Sequence, residues 1–360
     1  MRVAARPASR LRDEPAAGLL AFLLLAGALL WWAKWAPYSD RVTELSGSRL
    51  WSGTSLLAAA GVEQGSGPSL SAGLAFTQVY ALAVWKAVVA GLVLAAAVQA
   101  LVPRAWLLRV LTRRRTASSA LVGGLLATPS MMCSCCAAPV ASALRRSGAP
   151  AAGVVAYWLG NPLLNPAVVV FLALVAPWEW AATRVAVGLL LVVGGASLVA
   201  RLAGDRVDPA AVTAVAGAAH GASDGGLTRR FATTLARTAL VVVPEYLLVV
   251  LLVGTFSGWL FPLGESSASW GALAAVAAVV LGTLLVIPTA GEIPLAQGLA
   301  LAGLGGAVVG ALLVTLPAIS LPSMVMVSRA LTWRVAGLTA AVVAAGGLLA
   351  AGLLPALVAL

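Results

Sequence analysis

The chain has 360 residues, of which 61% are hydrophobic and only 10% charged, with a mean hydropathy of +1.00 and a net charge of +11. Soluble domains carry about 25% charged residues, so this composition excludes a soluble globule. Apolar stretches of roughly 20 residues recur, long enough to cross a bilayer as helix and without the ~10-residue alternation of an outer-membrane barrel, so the fold class is an all-α polytopic integral membrane protein. The basic excess is not a nucleic-acid footprint, because no recognition module occurs and the arginines cluster at helix ends. They follow instead the bias of Lys and Arg toward cytoplasmic segments.

In chain order, Arg2, Arg6, Arg10 and Arg12 precede the first apolar stretch, AGLLAFLLLAGALLWW (17–32), and place the N-terminus in the cytoplasm. No small-x-small cleavage site follows, and WWAKW reads as an interfacial belt, so the stretch reads as an uncleaved span rather than a signal peptide. Residues 38–73 read as a polar outside loop, and 74–102 return inward to PRAWLLRVLTRRR. The segment 120–144, ALVGGLLATPSMMCSCCAAPVASAL, is flanked by arginines on both sides and interrupted by Gly123, Gly124, Pro129 and Pro139. A straight span would leave one arginine cluster outside, so a re-entrant hairpin entered from the cytoplasm fits better.

Residues 149–175 then run outward through a second interruption, GNPLLNP (160–166), and 181–201 return to a cytoplasmic linker that holds His220, the only histidine. After that, 236–261 run outward, 271–302 carry the break VIPTAGEIP, 303–327 run inward and 335–360 outward. Eighteen of the 23 basic residues then fall on cytoplasmic segments; Lys34, Arg41, Arg49 and Arg184 fall outside and Lys86 within the membrane. The expected divisions are an N-terminal span (1–37), an outside loop (38–73), a first repeat (74–203), a linker (204–235) and a second repeat (236–360).

The repeats are read from the breaks. Pro139, Gly148 and Pro162 recur as Pro294, Gly303 and Pro317, each 155 residues later. The assigned topology sets the two copies in opposite senses, which gives about seven spans and two re-entrant hairpins in an inverted repeat, an architecture of secondary transporters. Non-helical backbone at membrane depth survives only where it is buried in protein or lines a cavity. Pro129 and Pro139, Asn161, Asn165 and Pro166, and Pro288 and Pro294 are therefore candidate substrate-contacting positions.

Ionisable groups in apolar segments are costly and are site candidates by default. There are three: Lys86 (AVWKAVV), Glu245 (VVPEYLL) and Glu292 (PTAGEIP). Lys86 and Glu245 occupy comparable depths in the segments that open the two halves, so a pair between them is one expectation. Glu292 could serve as a proton carrier or cation contact, or as a helix-terminal cap.

All three cysteines, Cys133, Cys135 and Cys136, lie within MMCSCCAAPV. They cannot form a disulfide framework, and a structural zinc site would need a fourth ligand that is not nearby. One helical turn brings Cys133 and Cys136 to one side, where soft thiols suit thiophilic cargo. Small polarizable packing residues are the plainer alternative.

Cys133-Ser134-Cys135 followed by Pro139, then PLLNP (162–166), then a second half broken at Pro294 and Pro317, resembles the ArsP-type predicted permeases over about 75–355. The family motif resembles T-P-x-C-S-C-x-x-x-P and maps onto Thr128, Pro129, Cys133, Ser134, Cys135 and Pro139, with Pro162, Asn165 and Pro166 following. Ser130, Met131 and Met132 stand where the family usually has one residue, and Cys136 replaces a common Ser or Gly. The resemblance implies a bacterial inner-membrane permease, whose best-known relatives export trivalent organoarsenicals; by their thiol chemistry Cys133, Cys135 and Cys136 are the candidate metalloid contacts, and no resident metal is expected.

The expected function is thus a secondary permease exporting a small thiophilic compound, and not an enzyme. No cofactor is expected, since no G-x-x-x-x-G-K-[ST] appears to support an ATPase. The expected partners are a small-molecule substrate and the lipid bilayer, with homo-oligomerisation left open. A membrane thiol oxidoreductase using the cysteines and a permease for an unrelated solute are the alternatives.

Overall fold

The structure, a computed structural model, describes residues 10–49, 61, 67–204, 227–260, 272–285, 287, 289–301 and 304–360. Every described element is a helix. Helix α1 (Arg10–Leu30) passes through a π-helical turn (Trp31–Trp35) into α2 (Ala36–Ser48), so residues 38–48, expected in a loop, extend the first span. Pro37 stands in the first turn of α2, where its missing N–H is tolerated. Next come α3 (Leu70–Leu101), the short amphipathic α4 (Arg104–Leu111), α5 (Thr116–Ala127), a 3-10 turn (Thr128–Ser130) and α6 (Ser134–Arg146). The first half closes with α7 (Ala151–Leu163), α8 (Pro166–Val175), α9 (Trp178–Leu189), a π-helical turn (Leu190–Gly195) and α10 (Ala196–Leu202).

The second half holds α11 (Leu227–Leu260), α12 (Ala272–Leu284), α13 (Glu292–Leu301), α14 (Gly306–Ala318), α15 (Leu321–Leu331) and α16 (Trp333–Val358). Six helices among the described residues are long and apolar enough to cross a membrane, or seven if α14 and α15, bent by 47°, form one span. The chain is a multi-pass membrane protein. The linker around His220, Pro288 and the side chain of Glu245 lie outside the described residues.

Element boundaries recur at the spacing of the proline breaks. Ala151 and Leu163 bound α7 and Gly306 and Ala318 bound α14, both 155 residues apart. Trp178 and Trp333 open α9 and α16 at the same spacing, and both are exposed. Packing recurs too: α5 lies along α7 as α12 lies along α14. Gly160 faces Ala127 in the first crossing, and 155 residues on Thr315 faces Gly282, whose added Cβ would collide with the threonine side chain. Gly160 and Gly282, on opposite partners of the two crossings, let the backbones approach as membrane helices require.

Side-chain size is sorted as a bilayer demands. Ala90, Ala95, Ala120 and Ala127 are fully buried, while Leu82, Leu125, Leu240 and Leu273 are well exposed. Close helix contacts here use small residues, while many large apolar side chains, these leucines among them, face outward as a lipid surround allows.

Gly123 backs onto the carbonyl of Gly153, and a Cβ there would collide with backbone that has no rotamer to adjust. Gly123→Ala should lower stability by about 1–3 kcal/mol, the usual cost of overpacking. Gly27→Ala, with open space around it, should change stability by no more than about 0.5 kcal/mol. Thermal unfolding midpoints in detergent compare the two; equal midpoints would contradict the close crossing.

Candidate functional site

The first break begins where α5 tightens into the 3-10 turn at Pro129 and ends where Cys133, in extended conformation, takes the N-cap position of α6. Between them Met131 has φ 48°, a left-handed conformation that costs a non-glycine residue energy and clusters at functional sites. Buried backbone without helical partners must find others. Asn161 on α7 supplies one: its Oδ1 accepts the Met132 N–H at 3.2 Å and the Ser130 hydroxyl, while its Nδ2 donates to the Tyr157 carbonyl at 2.8 Å. Trp158 Nε1 donates to the Ser134 carbonyl at 3.2 Å. From the first span, Trp35 Nε1 donates to the Pro129 carbonyl at 2.7 Å and the Tyr38 hydroxyl to the Met131 carbonyl at 3.5 Å.

This pinning gathers the three thiols. Cys133 Sγ lies 3.1 Å from Cys135 Sγ and 2.8 Å from Cys136 Sγ, and all three sulfurs lie within 4.8 Å of one another. All are buried and free, at separations longer than the ~2.05 Å of a disulfide bond. Tyr80 on α3 and Tyr246 on α11 place their hydroxyls 3.6 and 3.8 Å from Cys135 Sγ. Gly91 lets α3 close on the turn: a Cβ there would stand 2.5 Å from the Cys136 carbonyl. Across the molecule, Ser134 Oγ meets Ser320 Oγ at 3.2 Å and Ser142 Oγ donates to the Met326 carbonyl at 3.3 Å, so α6 lies against the bend between α14 and α15.

The second break lies between α12 and α13, with Ala290 at φ 69° and Glu292 opening α13. Glu292 is buried and paired with Arg184 of α9 at 2.7 Å. Arg184, which the sequence sets near the outside corner PWEW, is fully buried. Its guanidinium also donates to the carbonyls of Pro162 at 2.7 Å, Leu163 at 3.2 Å and Leu313 at 3.4 Å. Each of these carbonyls lacks its helical partner. Pro166 has no N–H for Pro162, and Pro317 has none for Leu313. The Ala167 N–H that Leu163 would use is taken by Asn165 Oδ1, the N-cap of α8, at 3.1 Å.

The expected site residues therefore separate into groups. Cys133, Ser134, Cys135 and Cys136 come together, with Pro129 at the mouth of their turn. Asn161 holds that turn, and Asn165 and Pro166 shape the interruption that Arg184 satisfies; the Nδ2 of Asn165 is buried without a partner. Pro294 lies in the first turn of α13, one position past Ile293. Pro139 lines a cleft of about 320 Å³ beside α6, with Ser142, Arg146, Arg237, Met326 and Arg329. Lys86 is exposed rather than buried, with its ammonium 5.9 Å from the Trp32 ring and 6.0 Å from that of Trp85. The buried lysine is Lys34, which donates to the hydroxyls of Tyr38 at 3.2 Å and Thr289 at 3.4 Å. Sequence reasoning missed Lys34, Tyr80, Arg184, Tyr246 and Ser320 as site residues. The signal for Arg184 was a lone arginine inside WAATRVAVGLLLVV, in a chain where Pro166 and Pro317 leave the carbonyls of Pro162 and Leu313 without helical partners.

Removing one member of a buried ion pair costs about 3–5 kcal/mol, because the other is left uncompensated. Arg184→Met should lose that much, and Arg184→Met with Glu292→Leu should lose less than Arg184→Met alone. Thermal unfolding in detergent reads both; a single variant within about 1 kcal/mol of wild type would contradict a structural pair.

Among proteins of known sequence, the ArsP_1 family, described as predicted permeases, matches residues 69–354. The UPF0718 protein YraQ of Escherichia coli (strain K12) is 39% identical over 286 residues, covering 79% of this chain and 80% of that protein. No solved structure matches. With the helical bundle, its apolar exterior and a family match over most of its length, the chain belongs to the ArsP_1 family of predicted permeases and is a membrane permease.

Proposed function

We propose that this permease is a secondary transporter that exports a small thiophilic compound, with trivalent organoarsenicals as the type of substrate. The observation that carries the reading is the buried convergence of three free sulfurs within 4.8 Å at the first break. A monomethylated As(III) centre has two exchangeable positions and inorganic As(III) three; three adjacent thiols offer either number of soft ligands. They also sit at the start of a half-helix, where orphan N–H groups and the helix dipole favour negative charge.

In this reading the two halves are inverted copies, and α5–α6 and α12–α13 are re-entrant hairpins whose broken tips meet near the midplane. The recurrence of element boundaries at 155 residues supports it, as does the first span, where Lys34 reaches Thr289 in the second break and Tyr38 reaches the Met131 carbonyl in the first. The membrane is the bacterial inner membrane, with the N-terminus in the cytoplasm. Trp178 and Trp333 then anchor opposite interfaces. In a cysteine-free background, Trp178→Cys and Trp333→Cys should be labelled by an impermeant maleimide from opposite sides; labelling from one side would contradict the inversion.

Everted vesicles test the substrate. Uptake of methylarsenite, arsenite and non-arsenical solutes is compared with and without a proton gradient. Cys133→Ser and Cys135→Ser should each cut methylarsenite uptake about tenfold or more, the loss expected when one of two soft ligands is removed. Uptake that ignores both changes would end thiol coordination while leaving the permease intact. The 2.8 Å approach of Cys133 and Cys136 also favours a second reading, a thiol oxidoreductase, whose sign would be disulfide cycling between them in cells.

A further inference from the structure

Lys34 is the buried charge that the proposed transport chemistry leaves unused. The residue is only 6% exposed, and among the described residues no carboxylate lies within ion-pair distance of its ammonium. Its hydrogen-bond partners are the neutral hydroxyls of Tyr38 and Thr289, and the Tyr38 ring lies 5.3 Å beneath it. A buried ammonium without a counter-charge is costly, and hydroxyl dipoles and a π face offset only part of that cost. The acid of the second break, Glu292, is already neutralised by Arg184.

Position makes the charge informative. Thr289 belongs to the second break, and Tyr38 reaches the Met131 carbonyl in the first, so Lys34 sits between the two. The Tyr38 hydroxyl that takes the Lys34 ammonium at 3.2 Å itself reaches the carbonyl of Met131, two residues before Cys133. A second observation points the same way. The cleft beside α6 is lined by Arg146, Arg237 and Arg329, with no acid among its described lining residues. It opens along the helix that carries the thiols, at Pro139 and Ser142, one to two turns past Cys136. Arginines at cytoplasmic helix ends are expected from topology alone; a buried, unpaired lysine beside the thiols is not.

We propose that Lys34 makes the thiol site selective for thiophiles that carry a negative charge, its ammonium taking the anionic group while sulfur takes the soft centre. The inference rests on the thiol-site reading above and adds the charge of the ligand to it. The π-helical turn that supplies Lys34 and helix α2 that supplies Tyr38 lie outside the region matched by the family, 69–354.

The test uses two probes that differ only in charge. Iodoacetate and iodoacetamide both alkylate a thiolate: sulfur displaces iodide, one C–S bond forms and one C–I bond breaks. The first brings a carboxylate and the second a neutral amide, so the ratio of their rates cancels the thiolate fraction and reports the field at the incoming group. Rates are followed by mass spectrometry of the peptide holding Cys133, Cys135 and Cys136, in the full-length protein in lipid. The iodoacetate-to-iodoacetamide ratio should exceed that of a free cysteine peptide by about tenfold, fall to the peptide value in Lys34→Met, and persist in Lys34→Arg. A wild-type ratio at or below the peptide value, a ratio unchanged in Lys34→Met, or cysteines inert to both probes would overturn it. Should Lys34→Met fail to fold, the comparison of wild type with the free peptide still decides. A Lys34-dependent ratio with cysteine-independent methylarsenite uptake would overturn the transport reading alone; a Lys34-independent ratio with cysteine-dependent uptake would overturn only the inference.

Discussion

One guanidinium holds the interior together. Arg184 takes the carbonyls orphaned by Pro166, by the Asn165 cap and by Pro317, and closes on Glu292 at the second break. Broken helices inside an apolar bundle need partners for every freed backbone group, since neither lipid nor neighbouring alanines can supply them. Arg suits this task better than Lys, because a planar fork with five donors can serve several acceptors at once. Without that fork, the interruptions at 162–166 and around 317 would expose unsatisfied carbonyls beside a buried carboxylate.

The first break is solved differently, by side chains of the neighbouring helix and of the first span. Asn161 accepts from the Met132 N–H and the Ser130 hydroxyl, and Trp35 and Tyr38 cap the carbonyls of Pro129 and Met131. Met131 is thereby held in a left-handed conformation that an unrestrained chain would leave. The consequence is chemical. The residues after the turn enter a helix within one step, which points Cys133, Cys135 and Cys136 at a common centre and leaves Tyr80 and Tyr246 as its wall. The first span is thus part of the site, although the family match begins after it.

The bundle and its interruptions were legible from composition and prolines, because apolar length and missing N–H groups act locally. The 155-residue spacing of Pro162 and Pro317 is also the spacing between the boundaries of α7 and α14. Charge placement was harder. Arg184 reads as an interfacial residue by its distance from PWEW, and only the fold brings it beneath two proline breaks. Lys86 reads as buried because its segment is apolar, yet it faces outward between Trp32 and Trp85. Helical phase decides such cases, and an all-round apolar helix such as α3 carries no periodic stripe from which to read it. Lys34 was hidden for the opposite reason, since WWAKW resembles an interface belt while its helix continues to Ser48.

The central claim is that the first break converts three thiols into one ligand site. Arsenic K-edge absorption on the purified protein loaded with methylarsenite tests it directly, because sulfur and oxygen neighbours give distinct scattering. The account predicts two sulfur neighbours about the arsenic, supplied by the cysteines of the first break. Arsenic surrounded only by oxygen, or sulfur neighbours that persist when all three cysteines are replaced by serine, would contradict it.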